Sequence, residues 1–103
     1  MPRTWGGRSE FEYTGSIETG TNIVYGESRR IHVSAAQYAE LRAHFLNRTV
    51  PAGTSRTTAS PESLGAWLQS VGIQTAVASY VAPILVEERY AERVGRNEIQ
   101  VLR

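Results

Sequence analysis

Proton transfer or metal ligation in this chain would have to use His32, His44 and the glutamates. The sequence contains no Cys, no Asp and no Lys. Without Cys there is no thiolate nucleophile, no disulfide and no thiolate-bound zinc. Without Lys there is no Schiff-base or P-loop lysine. Without Asp there is no Ser-His-Asp triad, although a Glu variant stays formally open. His44 follows Glu40 at i, i+4, a spacing that usually gives a solvated helix pair. His32 alternates with Ile31 and Val33, so it belongs to the polar side of a strand. Neither histidine has the spacing of a metal site. The chain reads as non-enzymatic, with no metal or cofactor.

A second chemistry is open to the cations and amides. All 11 basic residues are Arg and all 10 acids are Glu, for a net charge of +1. That sum is small for a nucleic-acid binder, whose affinity comes largely from neutralised phosphates. Placement says more than the sum. Arg89, Arg93, Arg96 and Arg103 crowd the C-terminal end, interleaved with Glu87, Glu88, Glu92 and Glu98. Arg56 lies in a hydroxyl-rich stretch, Thr-Ser-Arg-Thr-Thr, a combination also found at phosphate contacts. Gln74, Thr75 and Ser79 carry groups that read or position bases and phosphates. Against each stands a plain reading: a salt-bridged surface for the arginines and an exposed linker around Arg56. The Asn47-Arg48-Thr49 sequon carries no weight without a secretory signal. Tyr25 beside Arg29 and Arg30 is the nearest approach to a base-stacking platform.

These residues need elements to hold them. At 103 residues one domain is expected. Residues 1–8, with Pro, Gly and Arg around Trp5, read as a loosely held N-terminus. Residues 9–33 read as a β region: Phe11 and Tyr13, Ile23 and Tyr25, and Ile31 and Val33 each alternate with polar neighbours. Gly15, Gly20 and Gly26 fall between the runs. Ser34 and Gln37 form a capping-box pair, with Val33 and Tyr38 placed for a hydrophobic staple. The helix they start should run from Ala35 to about Asn47 and bury Tyr38, Leu41 and Phe45. Residues 49–59 read as a connection, with Thr54 to Thr58 as a short strand. A second helix is expected from a Ser60 cap to about Val71, with Pro61 in its first turn. Gly72 supplies a tight turn. A third helix spans Gln74 to Glu88, its stripe being Val77, Tyr80, Val81, Ile84 and Leu85, with Pro83 as an internal bend. Two strands, Tyr90 to Val94 and Glu98 to Leu102, close on Gly95-Arg96-Asn97. No apolar run approaches the ~18 residues of a membrane span, and the cytoplasm is the default location.

Helix, short turn, helix, ribbon is an order that resembles the winged helix-turn-helix superfamily. The resemblance covers residues 34–103 and rests on architecture, since no family signature is present. It implies an α+β fold: an N-terminal β-hairpin or meander, then a three-helix winged helix-turn-helix with a C-terminal β-hairpin wing. It also implies a small winged-helix DNA-binding protein, a transcriptional regulator of double-stranded DNA and commonly a dimer. The third helix would then enter the major groove while the wing touches backbone. Gln74, Thr75 and Ser79 would face bases, and Arg56, Arg93 and Arg96 would hold phosphates. That helix's outward face has no Arg, so bidentate guanine reading is closed to it. The alternative is a protein–protein interaction module on the same scaffold, homodimeric or bound to a partner protein. Its surface would be Ala78, Ala82, Pro83, Val86 and Tyr90, because exposed apolar patches mark interfaces. The N-terminal strands could equally cover that face within the monomer.

Overall fold

The computed structural model describes residues 3–7, 10–26, 29–53, 63–73, 77–95 and 98–103. Among these described residues, three helices and two small antiparallel sheets make a mixed α+β fold. The N-terminal sheet is a meander of β1 (Glu12–Ser16), β2 (Gly20–Tyr25) and β3 (Arg29–Val33), in the order β1–β2–β3. Its register places Tyr13, Ile23 and Ile31 in one row and Glu12, Val24 and Arg30 in the next. Successive side chains on a strand alternate between faces, so the first row faces the core and the second faces water. At the β1–β2 end Gly15 lies opposite Thr21 and Ser16 opposite Gly20, and a Cβ on Gly15 would collide with the Gly20 carbonyl.

The first helix, α1 (Ala35–Phe45), has both hydrogen bonds of the capping box. Gln37 N–H donates to Ser34 Oγ at 3.1 Å, and Ser34 N–H donates to Gln37 Oε1 at 2.9 Å. Tyr38, Leu41 and Phe45 are buried as their spacing requires. The helix ends two residues before the expected Asn47. Asn47 takes a φ of 60° and its N–H donates to Val101 O at 2.8 Å, which turns the chain into the second sheet.

That sheet is built from β4 (Thr49–Pro51), β5 (Ala91–Val94) and β6 (Glu98–Val101), in the order β4–β6–β5. A short strand was expected at Thr54 to Thr58, which lies outside the described residues. The strand that pairs with the last one comes earlier and contains Pro51. Pro is tolerated there because β4 is an edge strand and its missing N–H need not reach a partner. The second helix, α2 (Leu64–Ser70), is capped by Ser63 rather than Ser60, with Ala66 N–H on Ser63 Oγ at 3.1 Å. Gly53 sits against that cap, where a Cβ would strike Ser63 Oγ. Gly72, at φ 87°, makes the expected turn, and Ile73 N–H closes back on Leu68 O at 2.9 Å. The third helix, α3 (Ala78–Glu87), follows.

One buried apolar cluster joins both sheets and all three helices. The N-terminal sheet docks through aromatic contacts on α3. Phe11 meets Tyr80 edge-on at 5.2 Å, and Tyr25 stacks on Tyr80 at 4.7 Å. A buried bond of 2.6 Å between Thr21 Oγ1 and Tyr38 OH ties it to α1. The strands of the two sheets do not pair, so the meander joins the rest by side-chain packing.

Candidate functional site

The third helix decides what this fold can present. Val77, Val81, Ile84 and Leu85 are buried, as the i, i+3, i+4 spacing demands. Ala78 and Ala82 are also fully buried, which corrects the expectation that they face outward. Within α3, Glu87 is the only exposed residue, while Ser79, Tyr80, Pro83 and Val86 are half-buried. A helix that is apolar nearly all round packs on nearly all sides.

The cover comes from the N-terminal residues. Residues 3–7, expected to be loosely held, include a Trp5 that is only 4 % exposed. The reason lies in Pro83. In an unbroken α-helix the N–H of residue 83 would bond the carbonyl of Ser79, but Pro has no N–H. An unsatisfied carbonyl in a half-buried setting needs a donor from elsewhere. Trp5 N–H provides it at 2.9 Å. The proline that reads as a defect in a helix is therefore what creates the acceptor for the N-terminal segment. The sequence signal was present: a Pro inside a helix leaves the carbonyl four residues earlier to be filled.

Arg93, on β5, belongs to the same assembly. In the β5–β6 register Arg93 lies opposite Ile99, and Ile99 lies opposite Val50. Directly opposed residues share a face, so Arg93 leaves the sheet on its core side. It is on an edge strand and stays exposed, and its guanidinium lies 4.1 Å from the Trp5 ring centroid. The outer face of the hairpin carries Glu92 and Glu98 instead. Of the expected base and phosphate contacts, Ser79 and Arg93 thus come together around Trp5, one through its carbonyl and the other through its guanidinium. Arg56, Gln74, Thr75 and Arg96 lie outside the described residues.

Pro83 and Val86, proposed for a protein contact, flank the N-terminal segment. Tyr90 sits apart from them in a cluster that sequence reasoning missed. Arg42 and Arg103 place their guanidiniums 4.4 and 5.0 Å from the Tyr90 ring. Tyr90 OH donates to Glu18 Oε1 at 2.8 Å. That bond is the first cause of the upward push on the Tyr90 phenol, since it favours the protonated form. Glu88, one residue beyond α3, locks the meander to the helix. It accepts from Tyr13 OH at 3.0 Å and from Ile17 N–H at 2.9 Å. Burial first, then the Glu88 bond, pushes Tyr13 from its ordinary 10.0 up to about 12.

Among the described residues no three His or Glu gather as a metal site. His32 Nδ1 pairs with Asn22 Oδ1 at 3.0 Å on the polar face of the meander. His44 stacks edge-on against Phe45 at 4.7 Å. No helix among the described residues is long and apolar enough to cross a membrane. No family model, curated protein or solved structure matches this chain.

Proposed function

We propose that this chain is a winged-helix module that binds double-stranded DNA mainly through backbone contacts made by its C-terminal ribbon. The observation that carries the reading is topological. The elements from Ala35 onward run α1–β4–α2–α3–β5–β6, and the sheet order is β4–β6–β5. A short strand after the first helix pairs with the last strand of the ribbon, a pairing that supports the winged-helix reading. Exposed arginines on the ribbon and its flanks, Arg89, Arg93 and Arg103, supply the phosphate-directed charge. The enclosure of α3 leaves it little surface for direct base reading, which would then fall to Gln74 and Thr75, outside the described residues. Such a protein would bind DNA with modest sequence preference and a marked dependence on salt.

The variant that tests the assignment is Arg93→Ala with Arg96→Ala. It should weaken binding to every duplex about equally and flatten the slope of log affinity against log salt by about one unit for each lost phosphate contact. Unchanged binding would contradict the ribbon's role.

A second reading, a protein–protein interaction module, is favoured by one observation. Val94 and Leu102, at the ribbon and its C-terminal side, are each 37 % exposed. Sedimentation that finds a stable dimer lost on Val94→Glu would support it.

A further inference from the structure

The end of α1 and one side of α2 enclose a cleft of roughly 390 Å³. That volume lies in the lower part of the range of small-molecule sites. Three observations give it a chemistry. First, its walls are aromatic and apolar. Phe45, Ala66 and Trp67 line it, and Trp67 is only half-buried. The His44 ring meets Phe45 edge-on at 4.7 Å and lies 6.3 Å from the Trp67 ring, tilted by 34°. Second, two nitrogen-bearing groups of the lining are open. His44 and Arg48 are both exposed. His44 is in the last turn of α1, and the left-handed turn at Asn47 brings Arg48 to the same cleft. Among the described residues the Arg48 guanidinium meets only the Phe45 ring, at 5.8 Å, and the His44 imidazole makes ring contacts without a hydrogen bond. Arg42 and Arg103, by contrast, spend their Nε–H groups on backbone carbonyls. Third, no acid lines the cleft among the described residues. Its serines are already engaged: Ser63 Oγ takes the Ala66 N–H, and Ser70 O–H donates to Trp67 O. What stays open is one guanidinium and one imidazole beside aromatic walls. A guanidinium's planar fork matches the two oxygens of a carboxylate, and an imidazole adds an N–H donor.

We propose that this cleft binds a small aromatic carboxylate. The carboxylate takes the Arg48 guanidinium and the His44 imidazole at the opening, and the ring rests on the exposed part of Trp67 and on Ala66. The inference does not depend on DNA binding, because every group it uses belongs to α1, α2 and the turn after α1.

The test is a ¹⁵N-correlated NMR titration of the full chain with sodium benzoate at constant ionic strength. The chain's two tryptophans give two indole N–H resonances. Benzoate should move the Trp67 resonance saturably, with a dissociation constant of roughly millimolar, as suits a fragment of this size. The Trp5 resonance should stay in place. Arg48→Gln and His44→Ala, both at exposed positions, should each weaken the response, the first about tenfold. Arg30→Gln, on the outer face of the meander, should leave it unchanged. Sodium acetate keeps the charge without the ring, and benzyl alcohol keeps the ring without the charge; neither should give a saturable shift over the same range. No saturation with benzoate, an equal response to acetate or to benzyl alcohol, or an unaltered response in either cleft variant would each overturn the proposal.

Discussion

At the scale of single residues, the fold turns on polar groups whose partners lie far away in sequence. Ser79 O and Trp5 N–H are brought together because Pro83 cannot use the first of them. Pro83→Ala restores a donor at position 83 and sets it in competition with Trp5. The expected outcome is a more regular α3 and a less protected N-terminal segment. Amide exchange reads this directly: the Trp5 N–H should exchange faster in the variant, and unchanged protection would contradict the account. Tyr13 supplies a second test. Its phenol is held protonated in the fold up to about 12, against 10.0 for an ordinary tyrosine. A raised folded-state value contributes stability that is fully present below pH 10 and is lost as pH rises towards 12. Tyr38 is pushed up as well, chiefly by burial, so the loss continues beyond that window. Tyr13→Phe should therefore flatten the fall in stability between about pH 10 and 12, as measured by denaturant unfolding at each pH. An equally steep fall would mean that Tyr13 is not coupled to folding through Glu88.

At the scale of elements, local chemistry was legible wherever it closes within a few residues. The Ser34–Gln37 box, the stripe of α1, the turn at Gly72 and the alternation of the meander all rest on such short spacings. Ser34→Ala removes one acceptor of the box, and the expected cost is about 1 kcal/mol of stability by chemical denaturation. No measurable loss would show that the cap is redundant here. Less legible was where the second helix starts: sequence reasoning chose Ser60, while Ser63 caps the described helix through Ala66 N–H, with Gly53 packed against it. The strand expected at 54–58 lies outside the described residues, and the register with β6 that is described belongs to Thr49–Pro51. The burial of Ala78 and Ala82 was the least legible feature. Periodicity assigns one face to the core and is silent about a second face covered by residues more than seventy positions away.

At the scale of the whole molecule, two blocks have been joined into one core. The meander rests on α3 through Phe11, Tyr25 and Tyr80, and Glu88 and Glu18 latch its turn to the end of that helix. The helices and ribbon run α1–β4–α2–α3–β5–β6, the order on which the winged-helix proposal rests. Joining them leaves α3 largely enclosed and Arg89, Arg93 and Arg103 exposed on and beside the ribbon. With a net charge of only +1, the proposed DNA binding would have to rest on local rather than global attraction. The most direct test is fluorescence anisotropy of a labelled mixed-sequence duplex titrated with the full chain at low salt and again at rising salt. The account predicts binding at low salt that weakens linearly in log salt, with a slope set by a few phosphate contacts. An absence of binding even at low salt would contradict it.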